Sequence, residues 1–438
     1  MRNVVNAPET QPQSPLHIRD FRYYLMSRFA SVVATVGMVV IVGYQLYDVA
    51  RADYGMSIKE ASFMLGLLGL AQFLPLLVLT PVAGLVADRF DRRSVAAVAT
   101  SIDLLIAASL ALGTHLDLMT MPLLFGLAAL HGSARVFIGP AMSAFVPNLV
   151  PAPLMPRAIA MSSMAWQTGA IFGPALAGLL FGAGASLPYW MSSALLIVSC
   201  SALLSIRRLP APAASSDQKP LKQIAEGFRY TWNERFLLGC VTLDLFAVLL
   251  AGATALLPVF ARDILHVGAE GLGIMRAAPG AGAMAVSLWL SAKPISHNVG
   301  AKMLWAVAVF GAATVGFGLS RSMPVSLLLL ALLGAADMVS VFIRSTLIQI
   351  NTPDEVRGRV SAISGLAVSA SNELGEMQSG LAAGLLGATG AVVFGGVGAI
   401  VVTIAWAWLF PELRNARTFA PQYRQSNRET LPQKESAP

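Results

Sequence analysis

The sequence predicts an all-α membrane protein: twelve transmembrane helices forming two pseudo-symmetric six-helix bundles around a central cavity. Three observations predict this class. Of the 438 residues, 56% are hydrophobic and only 12% charged, with 38 glycines and a mean hydropathy of +0.67, whereas soluble domains average roughly a quarter charged. Twelve runs reach the length of about 20 mostly apolar residues that a bilayer crossing needs. The second six runs also repeat a pattern found in the first six.

In the first half of the chain the runs are 22–48, 57–84, 94–114, 120–146, 157–181 and 187–206. In the second half they are 236–261, 268–292, 300–320, 324–349, 360–387 and 391–411. Lipid offers the backbone no partners, so each run must be a helix. Residues 1–20 are polar and carry no cleavable signal-peptide pattern. The expected organisation is an N-terminal segment 1–20, a first bundle 21–206, a linker 207–235, a second bundle 236–411 and a tail 412–438. The linker opens Pro/Ala/Ser-rich, then places Leu221, Ile224, Ala225, Phe228 and Trp232 at helical spacing. That pattern reads as an amphipathic helix lying on the membrane surface.

Charge sets the orientation. Of 30 Lys and Arg residues, 22 fall in the N-terminus, the even-numbered loops and the tail. Four fall in odd-numbered loops (Arg51, Lys59, Arg262, Arg321) and four within spans (Arg28, Arg135, Arg276, Arg344). Positive charge stays on the cytoplasmic side, so both termini are expected there. The same asymmetry accounts for the formal net charge of +7 without a nucleic-acid partner.

Several functions are excluded by what is missing. Cys200 and Cys240 both sit in apolar runs, so a disulfide framework or cysteine metal cluster is not expected. Cys240 and Asp244 share a helix face, but no histidine stands at matching depth to complete a metal site. No phosphate-binding Gly-x-x-x-x-Gly-Lys-Ser/Thr loop is present, so ATP is not the direct energy source. No catalytic motif, cofactor fingerprint or large soluble domain appears, and an enzyme is not expected.

The internal repeat is specific. Met155-Pro-Arg157 entering the fifth span matches Arg357-Gly-Arg359 entering the eleventh. In that ungapped register Gly173, Gly178 and Gly182 fall on Gly375, Gly380 and Gly384, while Pro174 falls on Glu376. Parallel halves of this kind mark transporters whose substrate site lies at the interface between the halves.

Between the second and third spans stands Gly84-Leu-Val-Ala-Asp88-Arg89-Phe-Asp91-Arg92-Arg93. With the twelve-span layout, this loop resembles that of the major facilitator superfamily, except that Asp91 replaces a usual glycine. The resemblance covers essentially the whole chain. It implies a conformational lock built on Gly84, Asp88, Arg89, Arg92 and Arg93. Gln167-Thr-Gly169-Ala-Ile-Phe-Gly173-Pro174-Ala-Leu-Ala-Gly178 is similar to the family's antiporter motif, through Gly169, Gly173, Pro174 and Gly178. Leu256-Leu-Pro-Val-Phe-Ala-Arg262-Asp263, Asn351-Thr-Pro-Asp-Glu-Val-Arg357-Gly-Arg359 and Gly139-Pro-Ala resemble the macrolide-efflux and siderophore-export branch. The resemblance implies proton-coupled export of a medium-sized organic compound, a drug or siderophore, by alternating access. The setting implied is a bacterial inner membrane, with protons, the substrate and the bilayer as partners. An importer or uniporter of a nutrient or metal ion in the same fold is the alternative. Short loops are in keeping with a monomer.

Nine charged side chains fall inside spans and clear of their terminal turns: Arg28, Asp103, Arg135, Asp244, Arg276, Asp337, Arg344, Glu373 and Glu376. Each costs about 2.5–3.5 kcal/mol at a helix centre, so they must pair or face a wet cavity. Asp103 and Arg135 stand at similar depth and could neutralise each other; Arg28 and Asp244 could meet between the halves. Arg344 and Arg276, near span ends, could reach the interface. Glu373 and Glu376 are three apart, on one helix face. Two carboxylates so close in a low-dielectric site resist double ionisation, as a proton carrier requires. The proton-coupling set expected is Glu376, Glu373, Asp244 and Asp103. Polar and aromatic residues expected to line the substrate cavity are Tyr44, Gln45, Trp166, Gln167, Asn372 and Gln378.

Overall fold

The computed structural model describes residues 14–143, 145–208 and 220–420. Among the described residues every regular element is helical. The first half contributes α1 (Arg19–Ala52), α2 (Ile58–Arg89), α3 (Arg92–His115), α4 (Met121–Ser143), α5 (Met155–Ala183) and α6 (Leu187–Ser205). A helix in the linker follows, α7 (Pro220–Asn233). The second half contributes α8 (Arg235–Leu250), α9 (Gly268–Ala292), α10 (Val299–Leu319), α11 (Met323–Asn351) and α12 (Asp354–Leu409).

Ten of these stretches are long and apolar enough to cross a membrane. α9 is not among them, because Arg276 and its many glycines dilute its apolar character. The last stretch is one helical trace of 56 residues broken at Gly387, whose φ of 75° and ψ of 164° belong to no helix. Only glycine takes such a backbone at low cost. The two arms, 354–386 and 388–409, therefore correspond to the eleventh and twelfth runs, without the connecting loop expected at 388–390. Large apolar side chains remain on the outside, with Trp408 80% and Leu385 79% exposed, as lipid-facing surfaces require.

The span expected over 236–261 is not one α-helix. α8 ends at Leu250, and 3-10, α and π turns carry the chain on to Ile264. Pro258 has no N–H to offer the Thr254 carbonyl. A Cβ at Gly252 would stand 2.4 Å from the Gly375 carbonyl oxygen, so α12 approaches closely there. The irregular turns swing Arg262 and Asp263 towards the end of α1.

Packing runs mostly within each half of the chain: α1 on α5 and α6, α3 on α4 and α6, α9 on α11, α10 on α11 and α12. The two most extensive contacts between the halves are α2 on the first arm of α12 and α5 on α9. The glycine repeat is spent on these contacts in parallel fashion. A Cβ at Gly173 would meet the Val33 carbonyl oxygen of α1 at 2.7 Å, and one at Gly375 the Val248 carbonyl oxygen of α8 at 2.8 Å. A Cβ at Gly178 would lie 2.5 Å from the Ala269 oxygen and 2.8 Å from Gly273 of α9. One at Gly380 would lie 2.2 Å from Gly66 of α2. Small residues are what let membrane helices approach this closely.

The linker helix docks on the second half. Glu226 pairs with Arg359 at 2.7 Å, and Gly227 sits against the Arg359 backbone. Phe228 and Trp232 stack on each other at 5.6 Å and stay exposed, as an amphipathic surface helix should leave them. The side chains of Leu221 and Ile224, and residues 209–219, lie outside the described residues.

Candidate functional site

A cavity of about 570 Å³ opens between the two halves of the chain. Its walls run from Arg28 to Val39 on α1, Leu76 to Ala83 on α2 and His131 to Met142 on α4, with Trp166, Arg276, Leu366 and Ser369. It therefore occupies the part of the molecule nearer the face where α1 begins, hereafter the terminal face. The volume suits a drug-sized organic ligand.

The charged residues around it are paired differently from the sequence expectation. Asp103 does not meet Arg135. Its Oδ1 faces His131 Nδ1 at 2.9 Å, both groups are buried, and its Oδ2 is buried without a partner among the described residues. His131 and Arg135 are one helical turn apart on α4. The imidazole turns to α3, while the longer arginine crosses the cavity to α12. There Arg135 Nη2 meets Glu373 Oε1 at 2.9 Å, a contact between the halves. The arginine side chain is 49% exposed and the glutamate 9%, so the cation faces the cavity and the carboxylate lies behind it. Arg276 of α9 does not reach for an interface; it meets Glu376 Oε1 at 3.4 Å. Glu376 also borders a smaller gap lined by Gly43, Gly69, Gln72 and Thr254.

Arg28 and Asp244 do not meet either. Arg28 donates from Nε to the Ser162 carbonyl oxygen at 3.2 Å and lines the cavity. Asp244 is bonded to Arg344, and both are buried inside the second half. Arg344 thus does not snorkel. The expectation failed because α11 turns this residue towards α8 rather than outward. Asp337 and Ser340 border a void of about 10 Å³ beside the pair, away from the large cavity.

Of the expected cavity residues, Trp166 lines the cavity. Tyr44 instead packs edge-on against Phe181, at 5.4 Å between centroids. Gln45 donates to Thr114 Oγ1 at 3.0 Å and accepts from the Tyr189 hydroxyl at 2.7 Å, so it is a buried link among helices of the first half. Gln167, Asn372 and Gln378 are not on the cavity wall; Asn372 is exposed, and Gln378 keeps a buried Oε1 with no partner among the described residues. All three lie on the correct helices but on other faces.

The loop motif is partly visible. Gly84, Asp88 and Arg89 form the last turns of α2, and their side-chain surroundings lie outside the described residues. Asp91, the departure from the family pattern, caps α3: its carboxylate accepts from the Arg93 N–H at 3.3 Å and the Ser94 hydroxyl at 3.0 Å. An aspartate at this position satisfies a backbone donor that a glycine would leave to water. Arg93 in turn donates to the Leu204 carbonyl at 2.8 Å, tying α3 to the end of α6.

Sequence reasoning missed the charged cluster at the opposite face. Arg262 pairs with Asp48 at 2.7 Å and Arg51 with Asp263 at 3.6 Å. The Tyr47 hydroxyl also donates to Asp263. All these contacts join α1 to the segment after α8, and so one half to the other. Lys59 adds a bond to the Leu385 carbonyl at 3.1 Å. The signal was present as Tyr47-Asp48 with Arg51 one turn on, and as adjacent Arg262 and Asp263. Only the break after α8 brings the two together.

Residues 10–431 match the family model described as a transmembrane secretion effector. The enterobactin exporter EntS of Citrobacter koseri is 27% identical over 414 residues, 92% of this chain and 94% of its own. The enterobactin exporter EntS of Escherichia coli O1:K1 is 26% identical over 419 residues, 93% and 95% respectively. A solved D-xylose–proton symporter matches with a TM-score of 0.69 at 13% identity, over 92% of this chain and 98% of its own. A POT family transporter in complex with 5-aminolevulinic acid matches with a TM-score of 0.70 at 12% identity, over 90% and 97%. These two likenesses concern the fold. The chain belongs to the major facilitator superfamily: it is a multi-pass membrane transporter and not an enzyme.

Proposed function

We propose that this transporter is a proton-coupled exporter of a medium-sized organic compound, working by alternating access between two six-helix bundles. The bundles are 21–206 and 236–411, joined by the linker 207–235, with the tail at 412–438. The twelve spans are those of α1 to α6, α8 with its following turns, α9 to α11 and the two arms of α12. Both termini are cytoplasmic on the charge asymmetry, so the terminal face is the inner one. The state described is then inward-facing, with the outer side shut by the Arg51, Arg262, Asp48 and Asp263 cluster and by the Gly66–Gly380 and Gly178–Gly273 contacts. The parallel use of the repeated glycines supports the pseudo-symmetry. The named relatives support export, and enterobactin is the first compound to try.

The observation that carries the coupling is the clasp of Arg135 on Glu373 across the halves, with Arg276 on Glu376 one turn away. A proton on Glu373 removes the charge Arg135 holds and with it a link between the bundles. A carboxylate whose partner sits on the opposing bundle gains and loses that partner as the bundles rock, so its proton affinity follows the conformation. Glu376 shares its helix face and feels the same field. Glu376, Glu373 and Asp103 with His131 are the proposed coupling groups. Asp244, sealed with Arg344, is a poorer carrier and serves as a structural pair.

The test is transport in proteoliposomes under an imposed pH gradient, with wild type beside Glu376→Gln, across a panel of organic compounds that includes enterobactin. The variant is expected to lose gradient-driven accumulation and keep substrate exchange without a gradient. Gradient-driven transport by the variant at the normal rate and pH dependence would remove Glu376 from the mechanism.

A further inference from the structure

The cavity wall is cationic where it faces a ligand. Three guanidiniums border the same space: Arg28 from α1, Arg135 from α4 and Arg276 from α9. The carboxylates that balance two of them, Glu373 and Glu376, are not on its wall. Asp103 is the acidic residue that borders the cavity, and it is occupied by His131. Arg28 differs from the other two arginines. Among the described residues it makes no ion pair, and its single hydrogen bond, through Nε, leaves both Nη groups uncommitted. Trp166, one turn along α5 from the Ser162 carbonyl that holds Arg28, presents an apolar ring on the same wall.

A guanidinium half-buried in a membrane protein without an anionic partner is costly, and an arriving anion offsets that cost by completing its bidentate geometry. We propose that the cavity binds an organic anion whose negative group docks on Arg28, within the positive field of Arg135 and Arg276. The inference rests on reading the cavity as the transport site and adds the charge of the cargo. Docking on Arg28 leaves Glu373 and Glu376 with their own arginines, so substrate and proton occupy separate partners. Outward movement of an anion is also favoured by a membrane potential that is negative inside.

The test needs neither the native substrate nor transport. In a Cys200→Ala/Cys240→Ala background, Thr35→Cys places one thiol on the cavity wall, two helical turns from Arg28. The purified protein is reacted with an anionic sulfonatoethyl and a cationic trimethylammonioethyl methanethiosulfonate, each rate being scaled to that of a free thiol. The anionic reagent is expected to be preferred by about tenfold, the effect of a unit charge acting across a partly screened cavity. Arg28→Ala should remove most of that preference and Arg28→Lys should keep it. Ser369→Cys, on the wall contributed by the other half, provides the same measurement should Thr35→Cys not fold. Preference for the cationic reagent, a ratio unmoved by Arg28→Ala, or failure of either thiol to react would overturn the proposal. Loss of gradient coupling would leave this ratio untouched, so the two readings fail separately.

Discussion

α5 and the first arm of α12 occupy matching places in the repeat and pack alike, yet they carry different chemistry. Each sets one glycine against the first helix of its own half and another, five residues on, against a helix of the other half. Beside the first of these glycines α5 holds Ile171 and Pro174; on α12 the same register holds Glu373 and Glu376. The scaffold that brings the halves together is thus duplicated, while the ionisable groups belong to one copy. Under the proposed mechanism, two halves that move as matched levers need symmetrical hinges, but a proton needs only one place to sit. The comparison teaches that packing and coupling can be changed independently, and the glycines and the glutamates are where to do it.

The largest effect is expected where charge is sealed away from the cavity. Asp244→Asn leaves Arg344 buried and unpaired, which should cost about 3–5 kcal/mol, read as a lowered thermal unfolding midpoint in detergent. Replacing both partners, Asp244→Leu with Arg344→Met, should recover most of it. Recovery that fails would mean the pair does more than neutralise itself. A smaller effect follows at the duplicated glycines. Gly380→Ala and Gly178→Ala force a methyl into backbone at 2.2 and 2.5 Å, an overpacking cost of about 1–3 kcal/mol. That cost falls on the state with the opposite face shut. Both should make a cysteine at Thr254, in the gap beside Glu376, more reactive to a membrane-impermeant maleimide added from the side opposite the termini. If one glycine shifts the equilibrium and the other does not, the halves are unequal levers and the parallel breaks.

Hydropathy made most of the spans legible, because the bilayer imposes one length and one polarity on them. The repeat was legible too, and the structure uses its glycines for equivalent contacts. What composition could not show was backbone that departs from a helix for a local reason: the positive φ at Gly387, and the break between Gly252 and Pro258. Charge partners were the least legible part. Asp103 found His131, which the list of charges inside spans did not hold, and Asp244 found Arg344, because partner choice depends on helix rotation and not on depth along the chain. Arg262 and Asp263 counted only as loop charges until the break after α8 aimed them at α1. Tyr44 and Gln45 failed for the same reason of rotation, facing other helices of their own half.

The mildest effect on stability is expected at Glu373, the residue on which the proposed coupling rests. Glu373→Gln removes a charge whose partner, Arg135, is half exposed to the cavity, so water can take over that guanidinium. The cost to unfolding should stay within about 1 kcal/mol, as for other solvent-accessible ion pairs. The glutamine retains an oxygen for Arg135, so the wall keeps its shape while the link between halves loses its charge. Outward accessibility of the Thr254 cysteine should therefore rise, as in the glycine variants, but without their steric cost. A destabilisation as large as that of Asp244→Asn would place Glu373 among the sealed structural pairs. The second copy of the repeat would then hold its charges to keep its own shape, and the division between shared scaffold and one-sided coupling would fail.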